Sequence, residues 1–178
     1  MKRILVFIFV LFGCFFAFAS GNKDTPQNDG NLTETRDIID IKGILDFVKS
    51  NQLFFIATVE GDQPRVRPFG ALMEIDGRLA FCTNDQKDVF RQMQATNKVE
   101  ICSMGNMEKD MRVIRIFGEV SFDKSAETRN KFFAEFPFTA QQYKGRENIF
   151  VVCFFETASI TTTLMSGDGE TKETRVLY

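Results

Sequence analysis

Two arginines in a short, proline-flanked segment are the first candidate binding residues of this 178-residue chain. The segment reads Pro64-Arg65-Val66-Arg67-Pro68-Phe69. In an extended strand alternate residues share a face, so Arg65 and Arg67 point to the side that Phe69 continues. Two guanidiniums that lead into an apolar face are suited to an anion such as a phosphate or a carboxylate. A solvated strand end with surface arginines is the alternative interpretation, and the segment alone favours it.

The second candidate is a polar segment, Thr83-Asn84-Asp85-Gln86-Lys87, at the junction of a predicted strand and a predicted helix. Free N–H groups at a helix start, together with a hydroxyl, an amide and a lysine in the first turn, can bind a phosphate. Asn84 and Asp85 also predict a helix cap, which Asp88 three residues later strengthens. A plain cap explains the segment equally well, since Asp85 would repel a phosphate.

The third candidate is a pair of arginines, Arg112 and Arg115, followed by Phe117-Gly118-Glu119. Their spacing places the two arginines on opposite faces of a strand, so at most one of them could reach a shared site. Surface ion pairs with Glu119 or Glu100 explain them equally well.

The composition excludes several classes of site. The chain contains no histidine, so it cannot form a Ser-His-Asp or Cys-His nucleophile pair, an HExxH zinc site or a His-ligated haem. A net charge of −2 argues against nucleic-acid binding, which requires a basic surplus. No cysteine pair has CxxC spacing, and Cys82, Cys102 and Cys153 lie in apolar strand-like runs, so we interpret them as small buried hydrophobes. We predict no metal site.

The N-terminus has the pattern of an export signal. Lys2 and Arg3 precede an apolar run, and Ala17-Phe18-Ala19 matches a cleavage site. We therefore predict a signal peptide over residues 1–19, a flexible polar leader over 20–36, and a periplasmic or extracellular protein without a stable membrane span. An uncleaved membrane anchor and a lipoprotein acylated at Cys14 are the alternatives.

The remaining sequence predicts one domain, residues 37–178, that is mainly β with flanking helices. Apolar residues at three- and four-residue steps predict a helix from about 38 to 51, a second helix follows residues 84–85, and a third covers 125–136. Asp76-Gly77 is a strong hairpin signal. Short hairpins at this density predict an antiparallel sheet that curls into a small barrel of about six strands. The predicted strands cover residues 53–59, 65–75, 78–83, 98–104, 111–122, 148–156 and 158–164.

The order of these segments resembles a known family. The chain is similar to the pyridoxamine 5'-phosphate oxidase-like family of flavin-binding split barrels over residues 38–164, through six motifs at normal spacing. The motifs are Leu53-Phe54-Phe55-Ile56-Ala57-Thr58-Val59, Gly61-Asp62-Gln63-Pro64-Arg65-Val66-Arg67-Pro68, Asp76-Gly77-Arg78-Leu79, Phe81-Cys82-Thr83-Asn84 with Lys87, Lys98-Val99-Glu100-Ile101-Cys102, and Arg115-Ile116-Phe117-Gly118-Glu119.

The resemblance implies a six-stranded antiparallel split β-barrel that forms a homodimer with FMN in clefts at the interface. It implies that Arg65 and Arg67 approach the cofactor and that the backbone of Arg67, Pro68 and Phe69 lies along the isoalloxazine edge. It also implies that Thr83, Asn84, Gln86 and Lys87 hold the phosphate and the ribityl chain.

Two departures from the family pattern argue against vitamin B6 oxidation. Val113 stands where the vitamin B6 oxidases have a glutamine, and their histidine-containing C-terminal segments have no counterpart. We expect an FMN-dependent oxidoreductase whose small-molecule substrate and catalytic residues are unknown. The alternatives are a non-catalytic protein that binds flavin or another planar anion, and a dimeric interaction domain that has lost its cofactor.

Overall fold

The computed structural model describes residues 40–106 and 111–178. The predicted signal peptide and leader, residues 1–36, therefore lie outside the described residues. Within the described ranges the chain forms four α-helices, one short 3₁₀ helix (Glu147–Ile149) and nine strands. The helices are α1 (Ile41–Asn51), α2 (Asp88–Ala95), α3 (Ala126–Glu135) and α4 (Pro137–Tyr143). The strands are β1 (Phe54–Glu60), β2 (Gln63–Phe69), β3 (Leu72–Ile75), β4 (Arg78–Asn84), β5 (Lys98–Met104), β6 (Arg112–Asp123), β7 (Phe150–Phe155), β8 (Ser159–Ser166) and β9 (Gly169–Val176).

The strands form one antiparallel sheet, and the two strands at the ends of its main order are consecutive in the sequence. The order is β2-β1-β5-β6-β7-β4-β3, with β8 paired to β6 and β9 paired to β8. The end strands β2 and β3 are joined only by Gly70 and Ala71, and three consecutive peptide links span at most about 11 Å. The sheet must therefore curl until its ends approach. Because the described pairings include none between β2 and β3, the closed sheet keeps a gap there.

Side chains on the inner face of the curled sheet form the main buried core. In β1, buried Phe54 and Ile56 alternate with exposed Phe55, which is the pattern of a strand with one buried face. Helices α1 and α2 add apolar residues to this core, among them Ile44 and Met93. A second cluster packs helices α3 and α4 against the outer face of β4 and β7, and β7 is consequently buried on both faces.

Gly118 lies where the long strand β6 changes partner. Residues 112–117 pair with β8, whereas residues 120–123 pair with β7. A Cβ atom at Gly118 would lie 1.8 Å from the carbonyl oxygen of Thr157, a distance that no side chain tolerates. The bend predicted at this glycine therefore matches a close backbone approach between β6 and the β7–β8 connection.

Two strand predictions differ from the structure. The predicted strand 65–75 is two strands, because the chain leaves β1 at Phe69 and pairs with β4 from Leu72 onward. Strand β9 was not predicted, since its polar side chains are exposed on both faces and show no alternation. The two-residue turn Gly167-Asp168 that precedes β9 is a hairpin signal that could have revealed it. The described ranges thus contain nine strands, where the sequence predicts about six.

The helices confirm the predicted apolar faces but not every boundary. Ser125 caps α3 by accepting from the N–H of Thr128, and Pro137 ends that helix as predicted. Pro137 also begins α4, which was predicted as a polar connection. The predicted cap of α2 at Asn84 and Asp85 is wrong, because Asn84 still pairs with Phe150 and the helix begins only at Asp88. No helix in the two described ranges has the length and apolar content needed to cross a membrane.

Candidate cofactor-binding site

The main candidate site is a cleft of about 630 Å³ that brings three parts of the fold together. Its volume lies within the usual range for small-molecule sites. One wall comes from the end of β2 and the turn into β3, the second from Cys82 and the start of α2, and the third from the α3–α4 corner. The lining residues are Arg67, Pro68, Phe69, Gly70, Ala71, Cys82, Lys87, Val89, Glu135, Phe136, Pro137, Phe138, Thr139, Gln142 and Tyr143.

Arg67 is half-buried at one wall of the cleft. Its Nη1 donates to the hydroxyl of Thr58 at 2.8 Å, and its Nη2 donates to Oε1 of Gln92 at 2.7 Å. Burial lowers the pKa of the guanidinium, and the positive charge of Arg65 lowers it further. The group is nevertheless a cation at any physiological pH, because an arginine side chain has a pKa far above neutral. Arg67 therefore presents a positive charge that a bound anion would stabilise.

Lys87 is a second cation at the rim of the same cleft. It is the N-cap residue of α2, at the end of that helix where the helix dipole is positive. No side-chain hydrogen bond caps the helix there. Across residues 40–106 and 111–178, no carboxylate forms an ion pair with Lys87. A lysine in this setting is suited to an anionic group at the helix start.

The predicted residues Thr83 and Asn84 lie at the end of β4, next to the cleft. Asn84 donates from Nδ2 to the hydroxyl oxygen of Tyr143 at 3.0 Å, so it helps to fix a lining residue. Its Oδ1 accepts from the N–H of Gln86 in a local turn. Thr83 is 1% exposed, and its buried hydroxyl has no hydrogen-bond partner in the described part of the chain. Such a group costs about 1–3 kcal/mol if it stays unpaired.

Arg65 and Gln86 do not line the cleft. Arg65 is exposed and forms an ion pair with Glu60 across the β1–β2 hairpin, with 2.6 Å between Nη2 and Oε2. Gln86 is exposed, and its carbonyl oxygen accepts from Arg91. The structure therefore brings together Arg67, Pro68, Phe69 and Lys87 of the eight predicted residues. Thr83 and Asn84 do not line the cleft, but Asn84 contacts the lining residue Tyr143.

The third sequence candidate does not contribute to the cleft. The guanidinium of Arg112 lies 5.6 Å from the ring centroid of Phe47. Arg115 Nε lies 3.6 Å from Oε1 of Glu100, which is the surface pairing considered as its alternative.

Sequence reasoning missed the wall that the α3–α4 corner supplies. Phe136 and Phe138 add apolar surface, and Phe138 is 76% exposed at the start of α4. Thr139, Gln142 and Tyr143 add polar groups from the same helix. Pro137 was a usable signal, because a proline that ends one helix is also favoured in the first turn of the next.

The cysteine in the cleft has no nucleophilic character. Burial raises the pKa of the Cys82 thiol to about 12, and the nearby charge of Lys87 offsets this only in part. Burial also raises the pKa of Cys153 well above its usual range. Both groups therefore stay protonated at neutral pH, as the interpretation of small buried hydrophobes predicts. In residues 40–106 and 111–178 no three Cys, Asp or Glu side chains converge on a point where a metal ion could bind.

Comparison with solved structures places this fold in a known class. A pyridoxamine 5'-phosphate oxidase-related, FMN-binding protein from Nostoc punctiforme is similar with a TM-score of 0.54 at 12% identity, covering 78% of this chain and 96% of that chain. A haem-binding protein from Mycobacterium smegmatis is similar with a TM-score of 0.57 at 12% identity, covering 73% of this chain and 55% of that chain. These likenesses confirm the predicted fold class.

The sequence comparisons give the family. Residues 42–157 match the family model described as pyridoxamine 5'-phosphate oxidase. The chain therefore belongs to this family. It is also 35% identical to a NimC/NimA family protein from Clostridium acetobutylicum, with a TM-score of 0.69 over 83% of this chain and 99% of that chain. No curated protein sequence matches the chain at a significant level.

Proposed function

We propose that this protein binds FMN in the cleft between Arg67 and Lys87 and uses it as an oxidoreductase acting on a small molecule. The observation that carries the proposal is the composition of that one cleft, which combines two cations with the rings of Phe69, Phe136 and Phe138. FMN has the matching composition, since an apolar planar ring system is joined to an anionic phosphate. Membership of the family adds to this support.

The groups around the cleft fit such a ligand. Arg67 and Lys87 can neutralise a phosphate, and the unpaired Thr83 hydroxyl would gain a hydrogen bond from a ligand that reaches it. For Thr83, Asn84, Gln86 and Lys87, contact with the phosphate and ribityl chain rests on the family resemblance. Haem fits less well, because the chain has no histidine to act as the usual axial ligand.

Bound FMN would supply the redox chemistry, while the protein would bind it, orient it and place the substrate beside it. Glu135, Thr139 and Gln142 give the third wall of the cleft polar groups that could orient a substrate. A cleft without such groups would suit a purely flavin-binding protein. The polar groups of Glu135, Thr139 and Gln142 therefore favour an oxidoreductase. We assign no acid–base role to any of these three residues.

We propose further that the protein is a homodimer that uses the uncovered outer face of β2, β1, β5 and β6. Its apolar side chains form a patch that we call the outer patch: Phe55, Ala57, Pro64, Val66, Pro68 and Phe117. Val66 in this patch is 64% exposed. Pro68 belongs both to the outer patch and to the lining of the cleft, so a partner seated on the patch would lie beside the cofactor site.

Export is proposed on the N-terminal pattern alone. If residues 1–19 are a signal peptide, the protein isolated from its native host begins at Ser20. N-terminal sequencing tests this directly. A start at an acylated Cys14 would support the lipoprotein, and a chain that still begins at Met1 would contradict both.

The cofactor proposal is tested by the visible spectrum of purified protein. We expect the two absorption bands of an oxidised flavin and the release of FMN, identified by mass spectrometry, after denaturation. Anaerobic bleaching of these bands by NADH or NADPH would support the oxidoreductase. A yellow protein that no reductant and electron acceptor can cycle would support the non-catalytic alternative. A colourless protein that does not take up added FMN would refute the proposal.

A further inference from the structure

The guanidinium of Arg67 is held by two buried neutral groups. Thr58 in β1 is 2% exposed and Gln92 in α2 is 6% exposed. Each accepts one N–H of Arg67, at 2.8 Å and 2.7 Å, and the Thr58 hydroxyl itself donates to Gln92 Oε1 at 2.7 Å. These three hydrogen bonds form a closed ring that joins β1, β2 and α2. We call the three side chains the Arg67 clamp.

Gln92 presents its amide oxygen to the clamp. Oε1 accepts from both Thr58 and Arg67, so the amide N–H groups point away from them. The Arg67 guanidinium therefore meets a neutral acceptor at this position and not a carboxylate.

The clamp leaves the charge of Arg67 without a partner of opposite sign. Glu60 and Asp88 are the carboxylates whose charges act on Arg67. Glu60 is already paired with Arg65, and Asp88 with Arg91. Within the described ranges Arg67 has no ion pair. Three guanidiniums thus share two carboxylates, and the surplus cation is the one that lines the cleft.

We propose that Gln92 and Thr58 are positioning residues that fix the Arg67 guanidinium at the cleft while leaving its positive charge for an anionic ligand. The identity of that ligand, FMN, rests on the proposed function. A carboxylate at position 92 would hold the guanidinium as firmly but would neutralise it. An apolar side chain at position 92 would leave the charge but would not hold it.

The charge part of this proposal is tested by Gln92→Glu, with Gln94→Glu as the matched control. Gln94 is exposed on the same helix, so both variants add one negative charge at nearly the same place in the sequence. We expect Gln92→Glu to weaken FMN at least tenfold relative to Gln94→Glu, and to change the affinity for riboflavin, which lacks the phosphate, less than threefold. Equal FMN affinities in the two variants, or equal losses for FMN and riboflavin, would overturn it.

The positioning part is tested by Gln92→Met and Thr58→Val, each of which removes one acceptor of the clamp. In flavin-free protein at low temperature we expect the guanidinium N–H signals of Arg67 to be resolved in the nitrogen-15 NMR spectrum. Arg67→Lys assigns them by their disappearance. In both clamp variants we expect these signals to broaden or to be lost through proton exchange with water. Thermal melting of the same variants checks that the protein remains folded.

The two tests separate this inference from the proposed function. If the wild-type protein binds no FMN but its Arg67 signals depend on Gln92 and Thr58, the clamp stands and the ligand assignment fails. If the wild-type protein binds FMN but the Arg67 signals and the FMN affinity are the same in all the variants, the clamp is refuted and the proposed function stands.

Discussion

Replacing Lys87 with alanine should weaken FMN binding about tenfold without weakening riboflavin binding. A hydrogen bond to a charged group contributes about 1.5–3 kcal/mol, and 1.4 kcal/mol corresponds to a factor of ten in affinity. Lys87 is exposed at the rim of the cleft, so water and salt reduce its attraction to a phosphate. The expected loss is therefore near the lower end of that range.

The assay is titration of flavin-free protein with FMN and with riboflavin, followed by flavin fluorescence. Lys172→Ala is the matched control, because it removes the same charge from the exposed strand β9. The Lys87 variant should keep its free energy of unfolding within about 0.5 kcal/mol, as is usual for surface substitutions. Its FMN affinity should also depend less on salt concentration than that of the wild-type protein.

Two results would refute this reasoning. A Lys87→Ala variant that loses FMN and riboflavin affinity equally would show that the lysine does not face the phosphate. A variant whose affinities match those of Lys172→Ala would show that Lys87 does not contact bound FMN, and if Arg67→Ala is also without effect, the cleft is not the FMN site.

Three further predictions follow from the fold and the site. Arg67→Ala should weaken both FMN and riboflavin, because the family resemblance places this arginine near the ring and the ribityl chain. FMN should lose more affinity than riboflavin, because the variant also removes the positive charge that acts on the phosphate; an effect on FMN alone in the same titrations would contradict that placement. Gly118→Ala should lower the free energy of unfolding, measured by denaturant titration, by about 3 kcal/mol or more, because its Cβ would overlap a backbone oxygen. Gly167→Ala is the control and should be nearly neutral in the same experiment, because the space around Gly167 is open. Val66→Glu should give a monomer by light scattering if the outer patch forms the dimer, and an unchanged dimer mass would show that another face is used.

Local sequence patterns predicted the parts of this structure that depend on neighbouring residues. The strand predicted over residues 53–59 and the Asp76-Gly77 hairpin are set within a few residues, so both were predicted correctly. Arg67 and Lys87 were found because each lies beside a local signal, a proline-flanked strand end and a helix start.

The remaining features depend on tertiary contacts that no local pattern carries. Gln92 occupies the apolar side of α2 next to Met93, and its hydrogen bonds go to β1 and β2, 34 and 25 residues away in sequence. Strand alternation placed Arg65 and Arg67 together, but a carboxylate across the hairpin holds Arg65 outside the cleft. The α3–α4 wall was missed because its residues have mixed polarity and gain their place only by packing on β7.

The central position of β7 affects how this chain folds as it is synthesised. Residues 150–155 lie between β4 and β6, which end at residues 84 and 123. Most strands are therefore synthesised well before β7, the strand that joins the two halves of the sheet. Long-range pairings of this kind form slowly. Until β7 leaves the ribosome, β4 and β6 expose strand edges to which chaperones can bind. If the protein is exported as proposed, such a delay would keep the chain unfolded until it reaches a translocation channel.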